Sequence, residues 1–167
     1  MLRGLYDSCM AEVLTTLEMQ LPETERQFII DALVGYNDSQ APKEAYTELA
    51  VVSRQDGKMV GGLLGFTHWN WLFIKQLWVA EGFRGNGIGR ELMQSAQREA
   101  GRRGCLHASC DTFDFPALGF YQKLGFSVFG TLADFPAGHA RYFLQKRNIS
   151  APYIDLLFDK FANSLPL

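Results

Sequence analysis

Residues 78–90 read Trp-Val-Ala-Glu-Gly-Phe-Arg-Gly-Asn-Gly-Ile-Gly-Arg, and this stretch decides the expected fold. An apolar strand leads into a loop with glycine at positions 82, 85, 87 and 89, and an amphipathic helix follows. Glycine tolerates positive φ and lets a ligand approach the backbone. The helix N-terminus presents unpaired N–H groups and the positive end of a dipole. The stretch therefore predicts a phosphate or pyrophosphate site, with Arg84 and Arg90 adding positive charge.

Two common phosphate-binding motifs do not account for this loop. The P-loop requires GxxxxGK[ST], and no Lys-Ser or Lys-Thr pair follows these glycines. The dinucleotide motif GxGxxG needs its third glycine one residue later than Gly89, and an acidic residue at the end of the following strand. Taken alone, the loop is also compatible with a tight turn whose glycines serve packing only.

The hydrophobic pattern on both sides of the loop predicts an α/β domain with a mixed sheet. Asp56-Gly57 is a hairpin signal, and Trp69-Asn70 is the expected turn before a strand that is buried on both faces. Leu92 and Ala96 belong to the apolar stripe of the helix after the loop. The expected strands are 13–19, 46–54, 58–68, 71–79, 104–111, 126–132 and 140–145. The expected helices are 22 to 35 or 37, 87–101 and 115–124.

Length and composition fit one domain of ordinary size. The chain has 167 residues, of which 47% are hydrophobic and 20% charged, and its formal net charge is −2. This balance gives no reason to expect nucleic acid or a membrane as partner. We expect a single domain over residues 1–146, with 1–10 as a loose leader. The extension 147–167 is expected to hold a short amphipathic helix that packs on the domain or on a second subunit, which would make a homodimer plausible.

Cysteine usage and the absence of a long apolar run favour a soluble cytoplasmic protein. The three cysteines, Cys9, Cys105 and Cys110, form no CxxC pair, so we expect free thiols. Cys105 and Cys110 are five residues apart on an expected strand, which places them on opposite faces where they cannot share a metal. No zinc pattern, signal peptide or membrane-spanning stretch is recognised.

Two motifs in the expected order resemble the GNAT acetyltransferase superfamily. Residues 84–89, Arg-Gly-Asn-Gly-Ile-Gly, match the signature [Q/R]-x-x-G-x-[G/A]. Residues 120–126, Phe-Tyr-Gln-Lys-Leu-Gly-Phe, resemble the FYxKLGF segment, with one helix and one strand between the motifs. The resemblance spans roughly residues 13 to 146. Residues 110–113 and 136–139 are similar to segments of small bacterial members whose substrates are commonly unassigned.

The resemblance implies a binding site for acetyl-CoA and no metal. Backbone N–H groups of the loop are expected to hold the pyrophosphate of coenzyme A. The strand before the loop is expected to pair with the pantetheine amides, and an N–H near Val79 to polarise the thioester carbonyl. Asp114 lies where relatives often carry an Asn that contacts coenzyme A, and its charge is a departure that is also compatible with capping the next helix. The expected cofactor-binding residues are Leu77, Trp78, Val79, Arg84, Gly85, Asn86, Gly87, Ile88, Gly89, Arg90, Asp114 and Tyr121.

Tyr121 is the expected general acid, because a phenol there could donate a proton to the departing thiolate. The general base stays open. Relatives often carry a carboxylate in the middle of the strand 71–79, whereas this chain has Lys75, on the same face as Leu77 and Val79 by alternation. That departure is compatible with a water-mediated base, an acidic acceptor recognised by Lys75, or lost activity. The other candidate bases are His139, Glu81, Asp111 and Asp134, and His139 is attractive because histidine titrates near neutral pH.

The acceptor pocket is expected to include Tyr36, Lys75 and Trp71, while His68 and His107 are interpreted as structural. A covalent route through Cys105 or Cys110 is not expected, because neither has a base partner in the sequence. We therefore expect an acetyl-CoA-dependent N-acetyltransferase that acts on a small-molecule or protein amine within a ternary complex. Two rivals are a weak or inactive coenzyme A-binding sensor, which Lys75 favours, and a nucleotide-binding regulator. The acceptor itself is not encoded in a recognisable motif.

Overall fold

The computed structural model describes residues 13–43, 46–115 and 117–149. It divides into two compact units, residues 1–43 and 44–167, which are described separately. The expected leader 1–10 and the C-terminal helix of the extension lie outside the described residues. No helix within the described ranges is long and apolar enough to cross a membrane.

The first unit holds one helix, α1, at Glu23–Gln40. The expected end at Gly35 or Asn37 is wrong. Ala41 has extended dihedrals and its N–H donates to Asn37 O at 3.0 Å. The residue before a proline is disfavoured in the α region, so Pro42 rather than Gly35 ends the helix.

The strand expected at residues 13–19 is also wrong, because residues 13–18 have no regular structure. Val13 is 90% exposed and Leu17 is 91% exposed. Val, Leu and Thr favour a strand only where a neighbouring strand and a packed face are available. The described sheet takes no strand from this segment.

The second unit is a six-stranded mixed sheet in the order β1-β2-β3-β4-β6-β5, which confirms the expected fold class. β3 and β4 are parallel, and the other neighbouring strands are antiparallel. The helix between β3 and β4 makes the crossover that a parallel pair requires. The strands are β1 Thr47–Gln55, β2 Lys58–His68, β3 Trp71–Val79, β4 His107–Phe113, β5 Ser127–Ala133 and β6 Ala140–Arg147. The helices are α2 Ile88–Arg102 and α3 Leu118–Lys123, and Glu81–Phe83 is a short 3-10 turn.

Both expected hairpin turns are confirmed, and both use left-handed backbone. Asp56 and Gly57 have φ of 49° and 77°, and Trp69 and Asn70 have φ of 44° and 62°. Two successive residues at positive φ match the twist of the strands that they join. The α3 helix is shorter than expected and β4 begins at His107 rather than Gly104.

The core lies between α2, α3 and one face of the sheet. The apolar stripe of α2 is confirmed, with Leu92, Ala96 and Ala100 almost fully buried. A Cβ on Gly61 of β2 would lie 3.0 Å from Ile88 Cγ2, so glycine there allows α2 to approach the sheet closely. The core cluster comprises Leu49, Leu63, Leu72, Ile74, Leu92, Met93, Ala96, Ala100, Cys105, Ala108, Cys110, Tyr121, Leu124, Phe126, Leu144 and Ile149.

The placement of Cys105 and Cys110 on opposite faces of one strand is wrong. Cys105 precedes β4 and its N–H donates to Ala100 O at 2.9 Å, so strand alternation does not apply to it. Both thiols are buried in the same core. Burial, followed by the neighbouring Asp111 charge, raises the pKa of the Cys110 thiol to about 12, so this thiol stays protonated and unreactive at neutral pH.

Candidate active site

The two parallel strands β3 and β4 separate halfway along their length. Their ladder has three pairs, and the last is Phe73↔Ser109. Beyond it β3 runs on to Val79, paired on its other side with β2, while β4 runs on beside β6. The β3 backbone from Ile74 to Val79, here called the splayed edge, therefore faces a cleft. An unpaired strand edge can take an extended ligand through main-chain hydrogen bonds.

A β-bulge at Lys75 starts the separation. Leu64 pairs with Gln76 but Gly65 pairs with Ile74, which leaves Lys75 as the extra residue of β3. A Cβ on Gly65 would collide with the carbonyl oxygen of Phe73, so the bulge requires glycine at that position.

The bulge corrects two expectations about β3. It shifts the alternation by one residue, so that Leu72, Ile74, Leu77 and Val79 all pack in or against the core. Lys75 is exposed and does not share the packing of Leu77 and Val79 that simple alternation predicts. Burial on both faces is likewise wrong for the second half of the strand, where Trp78 is 50% exposed beside the cleft.

The glycine loop, residues 84–89, follows the splayed edge directly. Gly85 and Gly87 have φ of 80° and 82°, and Gly87 is the N-cap residue of α2. Within the described part of the chain, the backbone N–H groups from Gly85 to Arg90 have no acceptor, whereas Arg84 N–H donates to Glu81 O and Glu91 N–H to Gly87 O. The loop therefore presents a row of free donors at the positive end of the α2 dipole, which suits a phosphate.

Packing brings the predicted cofactor residues together. A Cβ on Gly89 would lie 3.4 Å from Phe120 Cζ and 3.8 Å from Val79 Cγ2. Arg84 Nε donates to Val79 O at 3.1 Å. The start of α2, the end of β3 and α3 thus meet at one end of the cleft, although α3 is 30 residues later in the chain. Arg84 and Arg90 are both exposed there.

Tyr121 lies at the buried side of α3, with 6% of its surface exposed. Its ring makes edge contacts with Phe120 and Phe126. Burial, followed by the nearby Cys110 and Asp111, raises the pKa of the Tyr121 hydroxyl above its ordinary range. The phenol is therefore a proton carrier at neutral pH rather than an anion.

Asp114 and His139 form a hydrogen-bonded unit that the sequence did not reveal. His139 Nδ1 lies 3.0 Å from Asp114 Oδ1, and Ala140 N–H donates to Asp114 Oδ2 at 3.1 Å. The Phe115 ring meets the imidazole edge-on at 5.0 Å. The expectation that Asp114 caps the following helix is wrong, because α3 begins at Leu118 and has no side-chain cap. The carboxylate instead joins the end of β4 to the turn before β6.

The other candidate bases differ in whether they already have hydrogen-bond partners. Asp111 Oδ2 accepts from Arg141 at 2.7 Å, and Arg141 also lies over the ring of Phe113. Asp134 Oδ1 accepts from Gly138 N–H at 2.8 Å and so holds the turn that carries His139. Glu81 is exposed in the 3-10 turn just before the glycine loop.

The predicted acceptor residues are divided between the two units. Tyr36 is 65% exposed in the first unit, and Lys75 is exposed in the bulge. Trp71 lines a pocket of about 380 Å³ in the second unit. Most of this pocket was not predicted from the sequence, because its members lie on four different strands and one turn. The residues lining it are His68, Trp69, Trp71, Phe73, Ser109 and Phe129.

Comparisons with known proteins agree with this geometry. The sequence model of the acetyltransferase (GNAT) family matches residues 12–126. A blasticidin-S acetyltransferase of Streptomyces morookaense is 38% identical over 106 residues, covering 63% of this chain and 76% of that protein. An acetyltransferase of Agrobacterium fabrum is 38% identical over 120 residues, covering 71% and 88%.

A solved structure extends the similarity to the fold. The crystal structure of an acetyltransferase from Bacillus cereus superposes with a TM-score of 0.74 at 31% identity, covering 79% of this chain and 97% of that one. The family match, the curated relatives and the shared fold lead to one conclusion. This chain belongs to the GNAT family and is an N-acetyltransferase.

Proposed function

We propose that this protein transfers an acetyl group from acetyl-CoA to a primary amine by direct attack within a ternary complex. The observation that carries the proposal is the continuity of two free hydrogen-bonding surfaces. The splayed edge ends at Val79, and the free N–H groups of the glycine loop begin six residues later at Gly85. A ligand that combines an extended amide chain with a pyrophosphate matches both surfaces.

The cofactor residues have distinct parts in this proposal. The N–H groups of the glycine loop hold the pyrophosphate, and Arg84 and Arg90 add positive charge. Leu77 offers its main-chain groups and Val79 its N–H to the pantetheine amides, and Trp78 lies half-exposed between them. An aminoglycoside 6′-N-acetyltransferase of the same fold, with a TM-score of 0.54 at 18% identity, was crystallised with coenzyme A, so this fold can hold that molecule.

Proton transfers occur at both the attacking nitrogen and the departing sulfur. Acetyl-CoA supplies the acetyl group as a thioester, so a C–N bond forms as the C–S bond breaks. The nitrogen must lose two protons as the ammonium becomes an amide, one before it attacks and one afterwards, and the departing sulfur must gain one. Tyr121 is the proposed proton or hydrogen-bond donor to the sulfur, because burial keeps its hydroxyl in the protonated form. The phenol then recovers a proton from the ammonium side through solvent.

His139 is the proposed acceptor of the ammonium proton. Asp114 occupies its Nδ1 side, so the Nε2 atom is left to act as the base. A carboxylate that holds one ring nitrogen fixes the orientation and the tautomer of the imidazole. Asp114 is thus proposed as a positioning residue, in place of the cofactor contact expected from the sequence. Glu81 stays the alternative base, because it lies exposed beside the glycine loop.

Thiol release tests the proposed function. The full chain is incubated with acetyl-CoA and a panel of primary amines that includes spermidine, amino acids, ring-bearing amines and blasticidin S, which gives the Streptomyces relative its name. We expect thiol release with at least one amine, and mass spectrometry identifies the acetylated product. Calorimetric binding of coenzyme A without release from any amine would instead support the inactive coenzyme A-binding sensor.

A further inference from the structure

The pocket lined by His68, Trp69, Trp71, Phe73, Ser109 and Phe129, here called the aromatic pocket, lies on the sheet face away from α2. Ser109 alternates along β4 with Ala108 and Cys110, which are buried in the core on the α2 side. Its volume of about 380 Å³ falls in the range of small-molecule sites. None of the described residues assigned to the cofactor lines it.

The aromatic pocket reaches the point where the cleft begins. Phe73 and Ser109 are the last pair of the β3–β4 ladder, and both line the pocket. One residue beyond Phe73 the splayed edge starts. A molecule held in the pocket therefore lies at the narrow end of the cleft, opposite the glycine loop.

The lining selects for a flat ring rather than for a flexible cation. Rings from both Trp71 and Phe73 lie side by side with centroids 6.4 Å apart, and Phe129 adds a third aromatic wall. Aromatic walls favour stacked or edge-on contacts with another ring. The described lining has no carboxylate, and the Arg147 guanidinium already lies over the Trp71 ring at 4.8 Å, so a polyamine would meet a positive charge there.

His68 contributes a polar side chain to the lining of the pocket. Its side chain is 8% exposed, and its Nδ1 is the one buried side-chain nitrogen or oxygen in the described ranges without a hydrogen-bond partner. The Tyr46 ring stacks on it at 4.0 Å and holds it in place. A buried polar atom without a partner is unfavourable, which argues for a partner that arrives with the ligand.

We propose that the acceptor is a primary amine carried on a flat heteroaromatic ring, which binds in the aromatic pocket and hydrogen-bonds His68. This inference rests on the proposed acetyl transfer and names its substrate class. The ring stacks among Trp71, Phe73 and Phe129, and the amine points to the narrow end of the cleft.

Three amines with the same aminoethyl arm test the proposal: histamine, 2-phenylethylamine and 2-cyclohexylethylamine. Ligand-observed NMR titration gives their dissociation constants without acetyl-CoA. We expect histamine to bind tighter than 2-phenylethylamine, and 2-phenylethylamine about tenfold tighter than the non-planar cyclohexyl compound. His68→Phe should remove the first preference and Trp71→Leu the second. Tyr142→Phe is the control, because Tyr142 packs against the core and does not line the pocket.

Failure of the acceptor class and failure of the transfer give different results. Equal binding of the three amines, or preferences that survive both pocket variants, would overturn the acceptor class whether or not thiol is released. Thiol release from spermidine alone would overturn it too, while it leaves the acetyl transfer intact. Ring preference in binding without thiol release from any amine would support the pocket and contradict the transfer.

Discussion

The substitution Gly65→Ala tests whether the bulge in β3 makes the cofactor cleft. The added Cβ would collide with the carbonyl oxygen of Phe73, which is main chain and cannot rotate away. Relief requires the chain to move where Gly65 pairs with Ile74, at the edge of the bulge. The variant should therefore lose both stability and the geometry of the splayed edge.

The expected loss of stability is about 3 kcal/mol, the upper end of the usual range for overpacking, because the obstacle is backbone. With a urea m-value of about 2 kcal/mol/M for a domain of this size, the unfolding midpoint should fall by about 1.5 M. Circular dichroism in urea measures the midpoint. Calorimetry below the transition measures coenzyme A binding, which we expect to weaken at least tenfold even in the folded variant.

Gly62→Ala is the matched control, three residues away on the same strand. Its Cβ would lie 3.7 Å from Val51 O and 3.8 Å from Met59 Sδ, which are ordinary contacts. The midpoint for this control should stay within about 0.5 M of the wild type. If Gly65→Ala were as stable as Gly62→Ala and bound coenzyme A equally well, the bulge would not be what opens the cleft.

Three further predictions concern the proposed chemistry and the core. Tyr121→Phe should lower kcat about 100-fold in the thiol-release assay while the Kd for coenzyme A changes less than twofold, because the ring stays and the proton is lost. Tyr142→Phe, which changes another phenol, is the control and should keep kcat. Equal kcat values for the two variants would remove Tyr121 from the mechanism. Asp114→Asn should lower kcat about tenfold while the Kd for coenzyme A stays unchanged, because His139 loses the carboxylate that fixes the orientation and tautomer of its ring. Asp56→Asn in the β1–β2 turn is the control, and equal kcat values for the two variants contradict the positioning role. Burial, followed by the Asp111 charge, raises the pKa of Cys110 from 9.0 to about 12, so the unfolded thiol ionises before the folded one. The free energy of unfolding should therefore fall as pH rises between these values, by up to about 1.4 kcal/mol per pH unit. Cys110→Ala should flatten that slope in urea titrations, and an identical slope argues against the raised pKa.

Local sequence patterns were sufficient for most elements of the second unit. Asp56-Gly57 and Trp69-Asn70 specify turns through the backbone angles that these residues tolerate, and the α2 stripe specifies a buried helix face through its spacing. The glycine loop could also be predicted from the sequence, because glycines just before a helix indicate an anion site through local geometry alone. Residues 13–19 show the limit of the same reasoning, since strand-forming residues need a neighbouring strand that local sequence does not supply.

The sequence by itself determined the order of the elements in the second unit, the glycine loop and the position of Tyr121 after it, because each depends on residues close together in the chain. Only the tertiary structure decided what the site contains. The bulge depends on Gly65 facing a strand that follows it, the Asp114–His139 pair joins residues 25 positions apart, and the aromatic pocket draws on strands from β2 to β5. These contacts arise from strand register and packing between distant segments, and no local pattern encodes them. For the same reason Lys75 looked like a catalytic departure in the sequence and is the extra residue of a bulge in the folded protein.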